Sequence, residues 1–252
     1  MNIAVLLTGE LREFELAQRS WGPLRDLNAD FYVSTWDISI QKNDYFEIDL
    51  VEEVTTEKIK KYLPDAKISI LNQENFIPGC RDTEIWAINI NKLIFHWKNC
   101  LELVKKSDKN YDTLILMRPD VFFLIDDSKT FLNCNNNKAI YGTKHITITG
   151  LNKEAVNFEK NINYFDYFVF DIFFMGNYDV MKNFIEMCPN NLDKRVHHKL
   201  GEHILSLGYY VEIINNFKAV VVRPISRNLK EINFDFTQLS VDHAEWNKHY
   251  KL

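Results

Sequence analysis

YDTLILMRPDVFF, residues 111–123, is the stretch whose reading decides the fold. Thr113–Met117 is an unbroken run of β-branched and large apolar residues, which suits a strand buried on both faces of a parallel sheet. It runs straight into Arg118, Pro119 and Asp120, where the proline removes a backbone donor and stops the ladder. In open α/β sheets ligands gather at the carboxyl ends of strands, so the chemistry is expected here. An aspartate at such a place can hold a hard divalent cation, and an arginine beside it can neutralise phosphate. The same two residues also read as a surface ion pair that closes a strand.

Working outward, the chain alternates strand and helix. IAVLL, residues 3–7, reads as a first buried strand left by the turn Thr8-Gly9-Glu10, and EFELAQ, residues 13–18, as a helix whose end is blurred by Gly22-Pro23. DFYVST, residues 30–35, is a second strand ending in Trp36-Asp37. Residues 37–55 are expected to form an excursion. A short helix over 56–63 and a strand over 66–71 follow, and this alternation points to a parallel sheet. Residues 84–106 form the clearest helix, with Ile90, Leu93, Ile94, Trp97, Leu101 and Val104 on one stripe and Asp82 or Thr83 as its cap. His96 and Asn99 fall off that stripe and are expected to face solvent.

Beyond residue 123 the pattern weakens. Val121–Ile125 continues as a strand, residues 139–141 suggest another short one, and 142–165 have the composition of an excursion over a binding site. FVFDIFFM, residues 168–175, is an aromatic strand-like run broken by Asp171. A buried carboxylate needs a partner, a metal or a cleft, unless it sits at a strand end and reaches water. Helices are expected over 178–186 and 197–207, the second stopped by Gly208, then final strands over 210–214 and 219–222.

Composition narrows the class. With 252 residues, nearly half of them hydrophobic, and only 8 Gly and 6 Pro, the chain is expected to be one packed domain over 1–225 with residues 226–252 wrapping back on it. Thirty basic against 35 acidic residues give a net charge of −5, which offers no general attraction to nucleic acid or an anionic membrane. Cys80, Cys100, Cys134 and Cys188 show no paired spacing and are expected to be free thiols. Residues 3–7 are too short an apolar run for a signal or a span, so the expected location is cytoplasmic. Neither GxGxxG nor GxxxxGK[ST] occurs, which removes a dinucleotide fingerprint and a P-loop.

Taken in order, IAVLLTGELREF, FYVSTWD, YDTLILMRPDVFF, DIFFMGNYDVM, GEHILSLGYYVEI and VVVRP resemble the corresponding pieces of small bacterial and viral glycosyltransferases of the GT-A fold. The resemblance implies a Rossmann-like α/β domain with a mostly parallel central sheet flanked by helices. Its implied activity is transfer of a sugar from a nucleoside-diphosphate donor to a carbohydrate acceptor. Asp120 takes the place of the last acid of the family's DxD motif, which binds a divalent cation, Mn2+ or Mg2+, on the donor diphosphate. Arg118 replaces the first acid, so it is placed to meet the diphosphate directly and to weaken the need for metal. Thr8, Gly9 and Arg12 resemble the stretch that approaches the nucleotide.

On the acceptor side an inverting enzyme needs a carboxylate base, and Asp171 and Glu202 are the candidates. Glu202 also reads as a solvated helix residue. His243 loosely matches the late histidine that completes a metal site in some relatives, or is a solvated tail residue. Two other readings remain open: a non-catalytic nucleotide- or carbohydrate-binding module on the same scaffold, and a nucleotidyltransferase.

Overall fold

A computed structural model describes residues 1–43, 48–77, 85–125, 128–134, 136–147, 171–190, 192 and 196–221. Strands β1 (Ile3–Thr8), β2 (Asp30–Trp36), β5 (Lys67–Leu71), β6 (Thr113–Met117), β7 (Val121–Ile125), β8 (Ala139–Thr147), β9 (Phe173–Asn177) and β10 (Tyr210–Val221) form one sheet in the order β5-β2-β1-β6-β9-β8-β10-β7. The half β5-β2-β1-β6 is parallel throughout, as is β8 with β10; β9 against both neighbours and β7 against β10 are antiparallel. The molecule is therefore α/β with a mostly parallel sheet. β3 (Ile38–Asn43) and β4 (Ile48–Glu53) pair antiparallel as a separate hairpin, where the sequence suggested only an excursion.

Both faces of the sheet are covered, which is why β1 and β6 are continuously apolar and wholly buried. Alternation along β1 sorts the core in two: Ile3, Val5 and Leu7 pack on one face with Phe14, Trp21, Leu24 and Ile59, and Ala4 and Leu6 on the other with Ile94, Trp97 and Phe184. The first group lies on α1 (Phe14–Ala17), α2 (Gly22–Asp26) and α3 (Thr56–Lys60), the second on α4 (Ile85–Lys105), α5 (Tyr178–Met187) and α6 (Val196–Ser206). The stripe residues Ile90, Ile94, Trp97, Leu101 and Val104 are all buried, each contributing about 1.5–3 kcal/mol by leaving water. Local signals set several ends. Thr55 caps α3 by accepting from the Lys58 N–H, Asn177 caps α5 from the Asp179 N–H, and Gly208 takes φ +78° just beyond α6.

Several expectations are corrected. The expected helix over 13–18 is one turn of α1 passing into a 3-10 turn at Gln18–Ser20, and Gly22-Pro23 opens α2 instead of ending a helix. The short strand at 139–141 runs on to Thr147, taking six residues from the expected excursion, because β10 pairs with it again at Lys218–Val221. The two final strands are one, with an irregularity between Ile213 and Lys218. Asp171 does not interrupt a strand, since β9 begins at Phe173 and Asp171 sits in the turn before it. Cys100, Cys134 and Cys188 are free and buried. Cys80, Asp82 and Thr83, and the segments 148–170 and 222–252, lie outside the described residues.

The connection from β6 to β7 shapes the site. Four Cα steps join Met117 to Val121, a reach of about 14 Å. Three strands lie between β6 and β7 in the sheet, about 19 Å if it were flat. The far half must therefore curl back toward the carboxyl end of β6. The N-terminal segment fastens it there: the Trp21 indole N–H donates to the Val121 carbonyl at 2.8 Å, and the Phe123 N–H donates to Ser20 Oγ at 2.8 Å.

Candidate active site

β1 is the switch point of the parallel half, because the chain leaves it toward β2 and β5 on one side and later returns as β6 on the other. The crevice beyond the carboxyl ends of β1 and β6 is where open α/β sheets bind ligands. From β6 it receives a turn, in which the Val121 N–H donates to the Arg118 carbonyl at 3.4 Å with Pro119 at the position that favours it. From β9 it receives Asp171, since Phe173 pairs with Met117 and the Arg118 N–H donates to the Ile172 carbonyl at 3.2 Å.

Arg118 and Asp120 form a bidentate pair. Nε donates to Oδ1 at 3.0 Å and Nη2 to Oδ2 at 2.6 Å, with the Asp120 side chain 2% exposed and that of Arg118 20%. Burial acts to lower the Arg118 pKa, but the carboxylates of Asp120, then Asp171, and also Glu10 outweigh it and hold the pKa above the usual arginine value. Beyond β1 a second pair mirrors the first: Arg12 donates from Nε to Glu10 Oε2 at 2.6 Å, and its Nη2 bridges to the same oxygen. The crevice thus gathers two guanidiniums and three carboxylates, with Glu10 close enough to act on Arg118.

The sequence candidates fall into place unequally. Arg12, Arg118, Asp120 and Asp171 come together. Gly9 is at the same edge, with its N–H bonded to the Ser34 carbonyl and φ +107°, a left-handed conformation that already requires glycine for the fold. Thr8 is fully buried, and among the described residues its hydroxyl has no hydrogen-bond partner. Glu202 is exposed on α6 and pairs with Lys199 at 3.0 Å; among the described residues nothing links it to Arg118. His243 lies outside the described residues. Glu10 was missed as an acid partner, although its E-x-R spacing to Arg12 mirrors the R-x-D of Arg118 and Asp120.

A divalent cation at Asp120 would meet a carboxylate that is already paired with a guanidinium. Both carboxylate oxygens already accept from Arg118. A cation would have to share the carboxylate with the guanidinium, through the second lone pair of an oxygen that already accepts an N–H.

Beside the crevice, over β2 and β5, lies a polar group of another kind. Ser34 Oγ and His96 Nδ1 share a hydrogen bond of 2.7 Å, and the Asn99 amide donates to Ser34 Oγ and Ser69 Oγ, both at 2.9 Å. His96 is fully buried and Asn99 is bonded to the sheet, so the expectation that both face solvent is wrong. α4 lies across two hydroxyl-bearing strands, and its off-stripe residues meet those hydroxyls. Burial, aided by Lys92, lowers the His96 pKa to about 3 and keeps the ring neutral. Trp36 packs against it at 4.2 Å between centroids and stacks on Phe95 at 5.9 Å.

No family model matches this chain, and no curated protein matches it. Among the described residues no helix is long and apolar enough to cross a membrane.

Proposed function

We propose that the chain is a glycosyltransferase that moves a sugar from a nucleoside-diphosphate donor to a carbohydrate acceptor, with the diphosphate in the crevice between β1 and β6. The observation that carries this reading is the convergence of Arg118, Asp120, Asp171, Glu10 and Arg12 at the switch point of the parallel half. The ordered sequence resemblance to GT-A enzymes points the same way. In the proposed reaction the acceptor hydroxyl attacks the anomeric carbon, a carboxylate takes the hydroxyl proton, and the bond to the diphosphate breaks. The leaving diphosphate carries the developing charge, which arginines stabilise in a crevice partly shielded from water.

Asp171 is the stronger candidate for the base, because it lies within electrostatic range of Arg118 whereas Glu202 is paired with Lys199 on an exposed helix face. Asp171→Asn is expected to abolish transfer while leaving donor binding in place. The assay is acceptor-dependent release of nucleoside diphosphate alongside calorimetric donor binding. Donor binding in the unaltered protein without any such release would leave a binding module in place of an enzyme.

A further inference from the structure

The two acid–arginine pairs share a geometry that assigns their partners different tasks. A guanidinium offers two bidentate edges, one through Nε and Nη2 and one through Nη1 and Nη2. In Arg118 the first edge is filled by both oxygens of Asp120. In Arg12 the same edge is filled by Glu10 Oε2. Among the described residues Nη1 of neither arginine makes a hydrogen bond, and neither side chain is closed off, being 20% and 28% exposed. Each acid sits two residues from its arginine, one in the turn after β6 and one in the turn after β1, so the backbone sets where each carboxylate stands.

Resting on the donor-site reading above, we propose that Asp120 and Glu10 are positioning acids that hold Arg118 and Arg12 side-on, so that the outer edges of both guanidiniums take the donor's diphosphate without a divalent cation. Asp120 then is not a metal ligand. Its carboxylate fixes the guanidinium plane, which a phosphate meets end-on while the ion pair stays intact and no buried carboxylate is stranded. The preformed orientation reduces the side-chain freedom lost on binding.

The test is calorimetry with inorganic pyrophosphate on the full chain, in EDTA and again with Mg2+ or Mn2+. The expected result is binding in EDTA that neither cation strengthens. Binding should weaken at least about tenfold in Arg118→Lys and in Arg12→Lys, because an ammonium cannot present the bidentate edge. Asp120→Ala should weaken it similarly by freeing the guanidinium, whereas Asp120→Asn should retain it, since the amide oxygen still anchors one N–H and no negative charge opposes the ligand. Pyrophosphate binding only with a divalent cation, its absence in every condition, or equal loss in Asp120→Asn and Asp120→Ala would each overturn the proposal. A parallel titration with UDP and GDP separates the two readings. A nucleotide that binds only with the cation keeps the transferase reading and sinks the cradle; cation-free pyrophosphate binding with no nucleotide response does the reverse.

Discussion

Two polar groups lie along the parallel half of the sheet, one beyond the carboxyl ends of β1 and β6 and one over the bodies of β2 and β5, and they are built in opposite ways. Over β1 and β6 the groups are charged and paired two residues apart along the chain, and among the described residues Nη1 of each guanidinium makes no hydrogen bond. Over β2 and β5 the group Ser34–His96–Asn99–Ser69 is neutral, assembled from three distant segments, and closed beneath α4 and Trp36. Charge costs much to bury and keeps its value at a wet crevice, whereas neutral hydrogen bonds can tie a helix to a sheet in the interior. The difference teaches that one sheet can carry polar side chains in two ways, as a closed neutral tie between helix and strand and as charged pairs beside a crevice.

The largest expected effect breaks the charged group. Arg118→Ala leaves Asp120 nearly buried without its cation and should destabilise the fold by about 3 kcal/mol, the low end for a broken buried pair because Arg118 is partly exposed. Denaturant midpoints measure it; a loss under about 1 kcal/mol would make the pair a surface one. A comparable effect comes from acid on the neutral group. Since the folded His96 pKa is about 3 against an ordinary 6.5, the unfolded chain takes up a proton that the folded chain refuses. The stabilisation is complete above pH 6.5 and is lost as pH falls toward 3, about 3 kcal/mol by pH 4. Urea midpoints across that range should slope less in His96→Gln than in the unaltered protein; equal slopes would show that His96 is not held neutral.

Smaller effects sharpen the contrast. Asn99→Ala removes the bonds donated to Ser34 and Ser69, and should cost about 1–2 kcal/mol without altering ligand binding. Glu202→Gln should change stability by less than about 0.5 kcal/mol, because its pair with Lys199 is exposed. If that variant nevertheless loses transfer by about a hundredfold or more, the base is Glu202 and not Asp171.

How much was legible follows from where information is local. The strands β1, β2 and β6 and the stripe of α4 could be read because burial on one face or both writes itself into consecutive residues. The R-x-D turn was legible for the same reason, since its pairing is set by two-residue spacing. His96 and Asn99 were misread because periodicity says which side of a helix is apolar, not which strand hydroxyls lie under the rest of it. The length of β8 and the continuity of β10 were missed because their second halves are held by each other and by β7 across long sequence separations. Glu10 carried the same kind of local signal, a two-residue spacing to Arg12, which goes unread when the turn is taken only for its glycine and its arginine.

The most direct test of the donor site is the change in thermal stability of the unaltered protein and of Arg118→Lys with UDP, GDP and their sugar conjugates. At about a hundred times its dissociation constant, one of these nucleotides should stabilise the unaltered protein by roughly 2.7 kcal/mol and Arg118→Lys far less. No response to any of them, or the same response in both proteins, would contradict a donor site at the β1–β6 crevice.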